Sequence, residues 1–182
     1  MRRTLATSLA VALVLLAPAA AHASSTSKSD PNDTEMRLDV KKVSLKTQGK
    51  KIVATVATYD AFSNDDLTGS GSFGVDFKVS KTKVRGIAIR AADGDLYANV
   101  CTYKAAGGGD PNGTHCSKVS VKRVSSTSVQ ITVARAKVDK GAKAYHWRGG
   151  AFAMDGVAGC DTQPFCLDST AKNATQYHLW KV

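Results

Sequence analysis

The stretch SDPNDTEMRLDV, residues 29–40, gathers Asp30, Asn32, Asp33, Glu35 and Asp39 in a chain whose formal net charge is +10. Oxygen donors at this density suit a hard cation, since calcium takes carboxylate, amide and carbonyl oxygens in a flexible shell. An EF-hand loop counted from Asp30 has oxygen donors at Asp30, Asn32 and Thr34. It then fails, with Glu35 where a glycine must turn and Lys41 where a glutamate must close the shell. A looser calcium site is expected instead, from Asp30, Asn32, Asp33 and Asp39, with Asp155 or Asp168 arriving from a later loop. Asp39 lies between Leu38 and Val40, so it faces away from whatever those two bury. Without a cation, the same residues read as an Asx-type turn followed by a solvent-facing aspartate.

Other reactive constellations are weaker. Asp65-Asp66 and Asp93-x-Asp95 pair carboxylates, but both sit in turn contexts, whereas glycosidase acids come from separate elements. Of the 15 acidic residues only Glu35 is a glutamate, which leaves few long carboxylates to reach into a cleft. GSGSFG is not spaced as a nucleophile elbow. His115, His146 and His178 carry no spacing that marks an acid–base pair. His146 alternates with Tyr145 and Trp147 and reads as a solvent-side residue between two core aromatics. No catalytic residue is assigned.

The elements that hold these residues begin after a leader. Met1-Arg2-Arg3, an Ala/Leu/Val run to Ala20 and Ala21-His22-Ala23 have the plan of a secretory signal cut before Ser24, with Sec and twin-arginine export both open. The apolar run is short for a membrane span. Residues 24–29 read as a flexible Ser/Thr/Lys linker and 30–182 as one domain, expected to be monomeric and to bind no specific nucleic acid. Cys101, Cys116, Cys160 and Cys166 form an even set in an exported chain, which implies two disulfides. Sequence-local pairing, Cys101–Cys116 and Cys160–Cys166, is expected. A zinc site beside His115 lacks the C-x2-C spacing.

Strand follows strand. FGVDFKV puts Phe73, Val75, Phe77 and Val79 on one face, and SVQITVA does the same with Val129, Ile131 and Val133. KIVATVATY is β-branched enough to be buried on both faces. Weaker strands fall at 38–46, 84–90, 96–103, 118–124, 144–152 and 176–180. Asp93-Gly94 is the strongest hairpin signal, and Gln48-Gly49, Ser125-Ser126 and Lys140-Gly141 mark other turns. About nine short strands and no helical period imply an all-β fold, a β-sandwich with jelly-roll-like connections.

The order DPND, LDV, VATYDAF, YHW and CDTQPFCLD resembles a group of exported, largely uncharacterised β-sandwich proteins of high-GC Gram-positive bacteria, from about residue 30 onward. The resemblance implies a fold and an extracellular address alone, because the group carries no agreed enzymatic activity. Members of that group carry an aspartate-rich loop after the third strand; here that place reads DFKVSKTKVRG, with Asp76 alone among lysines.

The function these features imply is a secreted, non-enzymatic protein that binds carbohydrate or a cell-wall polyanion, with a structural calcium. Trp180 and Phe165 are the candidate stacking platforms. Lys81, Lys83 and Arg85, in the densest basic run, are the candidate anion contacts. The alternatives are a secreted hydrolase and an extracellular protein-interaction or inhibitor module.

Overall fold

The computed structural model describes residues 23–104, 115–161, 163–173 and 175–182. The expected leader lies outside them except for Ala23, as do residues 105–114 of the Gly-rich excursion. Eleven strands form the fold: β1 (Ser25–Ser29), β2 (Val40–Gln48), β3 (Lys51–Thr58), β4 (Ser72–Lys78), β5 (Lys83–Ala92), β6 (Asp95–Lys104), β7 (Cys116–Ser125), β8 (Ser128–Ala134), β9 (Ala144–Met154), β10 (Phe165–Ser169) and β11 (His178–Lys181). A 3-10 turn, Asp65–Leu67, and one helical turn, α1 (Arg135–Val138), complete the elements.

All pairings are antiparallel, along one path β1-β2-β3-β8-β7-β6-β5-β4-β9-β10, with β11 also on β9. The all-β class stands. In place of a two-sheet sandwich with jelly-roll connections there is one sheet curled into a half-barrel. The continuity comes from β7, whose Cys116–Val119 half pairs with β6 and whose Ser120–Ser125 half pairs with β8. A strand that changes partners midway carries the ladder around the bend.

Nine of the strands lie where alternation placed them. The two additional ones, β1 and β10, lie in stretches whose sequence reads as linker and as disulfide loop. Residues 25–29 are paired to Lys42–Lys46 of β2 rather than hanging as a linker. The Asp93-Gly94 turn has positive φ at both residues, as a type I′ hairpin needs.

The curl brings β2 over β9. Leu38, Val43, Leu45, Ile52, Phe73, Val75, Phe77, Ile87, Ile131 and Trp147 fill the space between, all essentially inaccessible. Contact is close enough that a Cβ on Gly149 would lie 2.7 Å from a Val43 methyl. The half-barrel also has a seam, where its first strands meet its last. The Ser24 hydroxyl donates to the Lys181 carbonyl (2.5 Å) and accepts from the Trp180 indole N–H (2.8 Å). Further along, the Val40 amide donates to Asp168 of β10.

Both expected disulfides are present, Cys101–Cys116 and Cys160–Cys166. The first joins directly opposed residues of β6 and β7. The second ties β10 to the turn before it. No helix among the described residues is long and apolar enough to cross a membrane.

Candidate functional site

Two features stand out: an acidic cluster at the seam, and a groove on the outer face of β4, β9 and β10.

The cluster is built from three places. Asp30 follows β1, Asp33 and Asp39 lie in the segment leading to β2, and Asp168 comes from β10. Ligand oxygens of Asp30, Asp33 and Asp168 all lie within 4.8 Å of one another, the sole such metal-ligating group among the described residues. Strand register explains why Asp168 points here: it opposes Ala151 of β9, whose side faces the core, so it too is turned inward and is only 6% exposed. A Cβ at Gly150 would lie 2.1 Å from the Asp168 carbonyl oxygen, so only glycine lets β10 sit this close. The Tyr59 hydroxyl holds the loop by donating to the Asp30 carbonyl at 2.7 Å.

Asp39 departs from expectation. It is 1% exposed, as buried as Leu38 and Val40 beside it, and is no solvent-facing aspartate. Its Oδ2 accepts from the Thr34 amide at 3.2 Å, and its carboxyl faces those of Asp168 and Asp33. Its Oδ1 and the Thr34 hydroxyl are both buried with no hydrogen-bond partner. Asn32 stays exposed on the same turn, and Asp155 is exposed after β9. Burial, then the hydrogen bond that its protonated carboxyl donates to Asp30, pushes Asp168 up to about 7, against the opposing Val40 amide. Burial likewise raises Asp30 and Asp39, with repulsion from neighbouring carboxylates adding to it.

The groove encloses about 430 Å³. Its floor is Gly74 and Gly150, which face each other across the β4–β9 pair. Phe152 and Leu167 make one wall, and Asn173 stands on the loop after β10. At the other end Asp76 Oδ2 accepts from Arg148 Nε (3.0 Å) and Nη2 (2.9 Å), while the Tyr103 hydroxyl donates to Oδ1. Tyr177 lies 5.0 Å from the Arg148 guanidinium, ring centre to carbon. Burial and the Asp76 charge drive the Tyr103 hydroxyl far above its ordinary range, so it remains a donor. Asp76 is thereby fully engaged.

The other candidates are dispersed. Trp180 is no ligand platform: it is 2% exposed, because β11 sets it opposite Tyr145 on the inner face of β9. Phe165 is 49% exposed and stacks on Phe152, so it extends the apolar wall of the groove. Lys81 and Lys83 are exposed on the β4–β5 hairpin, and Arg85 is half-buried beside them; none lines the groove. Asp66 is buried and bound by Arg37 (2.5 Å), while Asp65 is exposed, so these two do not act as a pair. Asp93 and Asp95 are exposed in a hairpin. His146 is exposed between buried Tyr145 and Trp147, and His178 Nε2 bonds the Thr170 carbonyl at 2.7 Å.

Sequence reasoning missed the groove and the role of Thr34. The signal for the groove was Gly149-Gly150 inside a strand pattern, since strand glycines mark close approaches or bare floors. No protein-family model, curated protein or solved structure matches the chain.

Proposed function

We propose that the chain is an exported, non-enzymatic binding protein that holds carbohydrate in the groove over β4, β9 and β10. The observation that carries this is the groove over Gly74, open above its Cα, between an aromatic wall and a fixed ion pair. Sugars bind by stacking an apolar face on a ring while their hydroxyls meet pre-positioned amide, hydroxyl and charged groups. Phe152 and Phe165 offer the ring surface, and Asn173, Ser72 and Ser169 offer polar partners. The neutral member of the ligand class fits better than the polyanion, because the Arg148 charge is already met by Asp76. Two disulfides suit an oxidising, extracellular setting.

Gly74 supplies the test. Its φ is not left-handed, and a Cβ there would meet nothing nearer than 4.0 Å, so a side chain can start at this position without strain, and Gly74→Phe is expected to project its ring into the groove. Pull-down on insoluble polysaccharides and bacterial cell walls is expected to show binding that survives about 1 M salt, where surface charge pairs are screened. That binding is expected to vanish in Gly74→Phe, with the melting temperature held. Undiminished binding by Gly74→Phe would remove the groove from the account. Binding seen only at low salt and lost in the Lys81→Ala/Lys83→Ala variant would return the polyanion reading.

A further inference from the structure

We infer that Asp30, Asp33, Asp39 and Asp168 form a calcium site that closes the seam between the first and last strands of the sheet. This does not depend on the carbohydrate reading: Asp168 borders the groove as well, but Gly74, which tests the groove, is no part of the cluster.

Convergence comes first. Two carboxylates of the segment before β2, Asp30 and Asp33, and one from distant β10, Asp168, place oxygens within 4.8 Å of one another. Clustered acids on a surface need no metal, because water separates and screens them. Here the second observation decides: Asp39, 1% exposed and facing the carboxyls of Asp168 and Asp33, has an Oδ1 with no hydrogen-bond partner, and the Thr34 hydroxyl on the same segment also has none. A buried acceptor with no donor is costly and rare in folded proteins. Among the described residues no Lys or Arg forms an ion pair with any of the four. Arg37 and Lys41, each two residues from Asp39, are engaged elsewhere: Arg37 is bound to Asp66, and Lys41 lies over the Tyr59 ring.

Ligand type selects the ion. Every donor is oxygen, which disfavours zinc and the softer transition metals. Three converging carboxylates, with that of Asp39 facing two of them, gathered from a turn, a strand approach and an edge strand, match the high and irregular coordination of calcium. Magnesium demands a tighter octahedron and retains its waters. The sequence-level ligand set is therefore revised: Asp39 and Asp168 form its buried side, and Asn32 is not required.

The experiment uses the mature chain with both disulfides intact. Terbium should bind and emit when tyrosine is excited, because the Tyr59 hydroxyl bonds the Asp30 carbonyl next to the site; calcium should displace it. Calcium at 100 times its dissociation constant is expected to raise the melting temperature over that in EGTA by roughly 5–10 °C. Magnesium should raise it less. Asp33 is exposed, so Asp33→Asn should fold normally and lower calcium affinity by at least about tenfold. Asp39→Asn should abolish the calcium response while melting higher than the parent in EGTA, because it removes one of the facing charges. Equal melting in EGTA and in millimolar calcium, with no displaceable terbium emission, would overturn the site. So would an Asp33→Asn variant that keeps full calcium affinity.

Discussion

Asp168 holds its proton differently in the folded and unfolded chain, and that difference has a sign. Its ordinary value is 3.8, and in the fold burial and the Asp30 hydrogen bond raise it to about 7. Between those values the folded state binds more protons than the unfolded state, so stability is full at acid pH and declines as pH rises through about 7. The groups facing Asp168 act together with it: the carboxyls of Asp30, Asp33 and Asp39, and the amides of Val40 and Ser169. Asp66 works in the other direction. Burial raises it, but Arg37 and Ser63 outweigh burial and hold it below 3.8, so its contribution disappears only at more acid pH. In EGTA the melting temperature is therefore expected to fall by several degrees from about pH 4 to about pH 7.5, and Asp168→Asn should flatten that fall. Millimolar calcium should reverse it, because the ion binds the deprotonated carboxyls. A scanning-fluorimetry series across pH, with and without calcium, reads both slopes. A separate check concerns Trp180. As a core residue packed on Tyr145, its change to Ala is expected to cost roughly 3–5 kcal/mol of stability in denaturant unfolding. Loss of ligand binding with stability unchanged would instead restore it as a platform.

At the level of elements, alternation did most of the predicting. β4 and β8 were legible because Phe73, Val75 and Phe77, or Val129, Ile131 and Val133, can all face a core only in an extended chain. β1 and β10 were not legible, for a physical reason. STSKS has no apolar residue, and FCLDS mixes its faces; edge strands are held by a neighbour's ladder more than by their own burial. The acidic cluster was half legible for the same reason. Asp30, Asp33 and Asp39 lie close in sequence, but Asp168 enters only through the register of an edge strand that no pattern marked. Trp180 was misjudged because nearness to the terminus suggests exposure, whereas pairing with β9 decides which way it faces. Gly150 tests how tightly β10 must sit. Gly150→Ala places a methyl 2.1 Å from the Asp168 carbonyl and is expected to lower the melting temperature and blunt the calcium response. Gly74→Ala, with open space above it, should do neither. Paired melting curves in EGTA and calcium distinguish the two.

The whole molecule is held by its curl and by two covalent ties. Cys101–Cys116 closes a separation of 15 residues and Cys160–Cys166 one of 6. Loop-closure entropy puts their contributions at roughly 3 and roughly 2 kcal/mol. Replacing each pair by serine and measuring urea unfolding should reproduce that order. The first pair should matter most near β7, where hydrogen exchange is expected to accelerate as the strand that serves two neighbours loses its anchor. A curled sheet that is not a closed barrel still has two margins, each a row of backbone groups that another copy of the chain could extend. In this fold β1 and the β10/β11 side confront each other across the seam, where Ser24, Trp180 and Asp168 occupy the gap. These ties join the ends of the two margins and leave β1 itself exposed, so its edge, with the charge of Lys28 upon it, is where a second copy would add a strand.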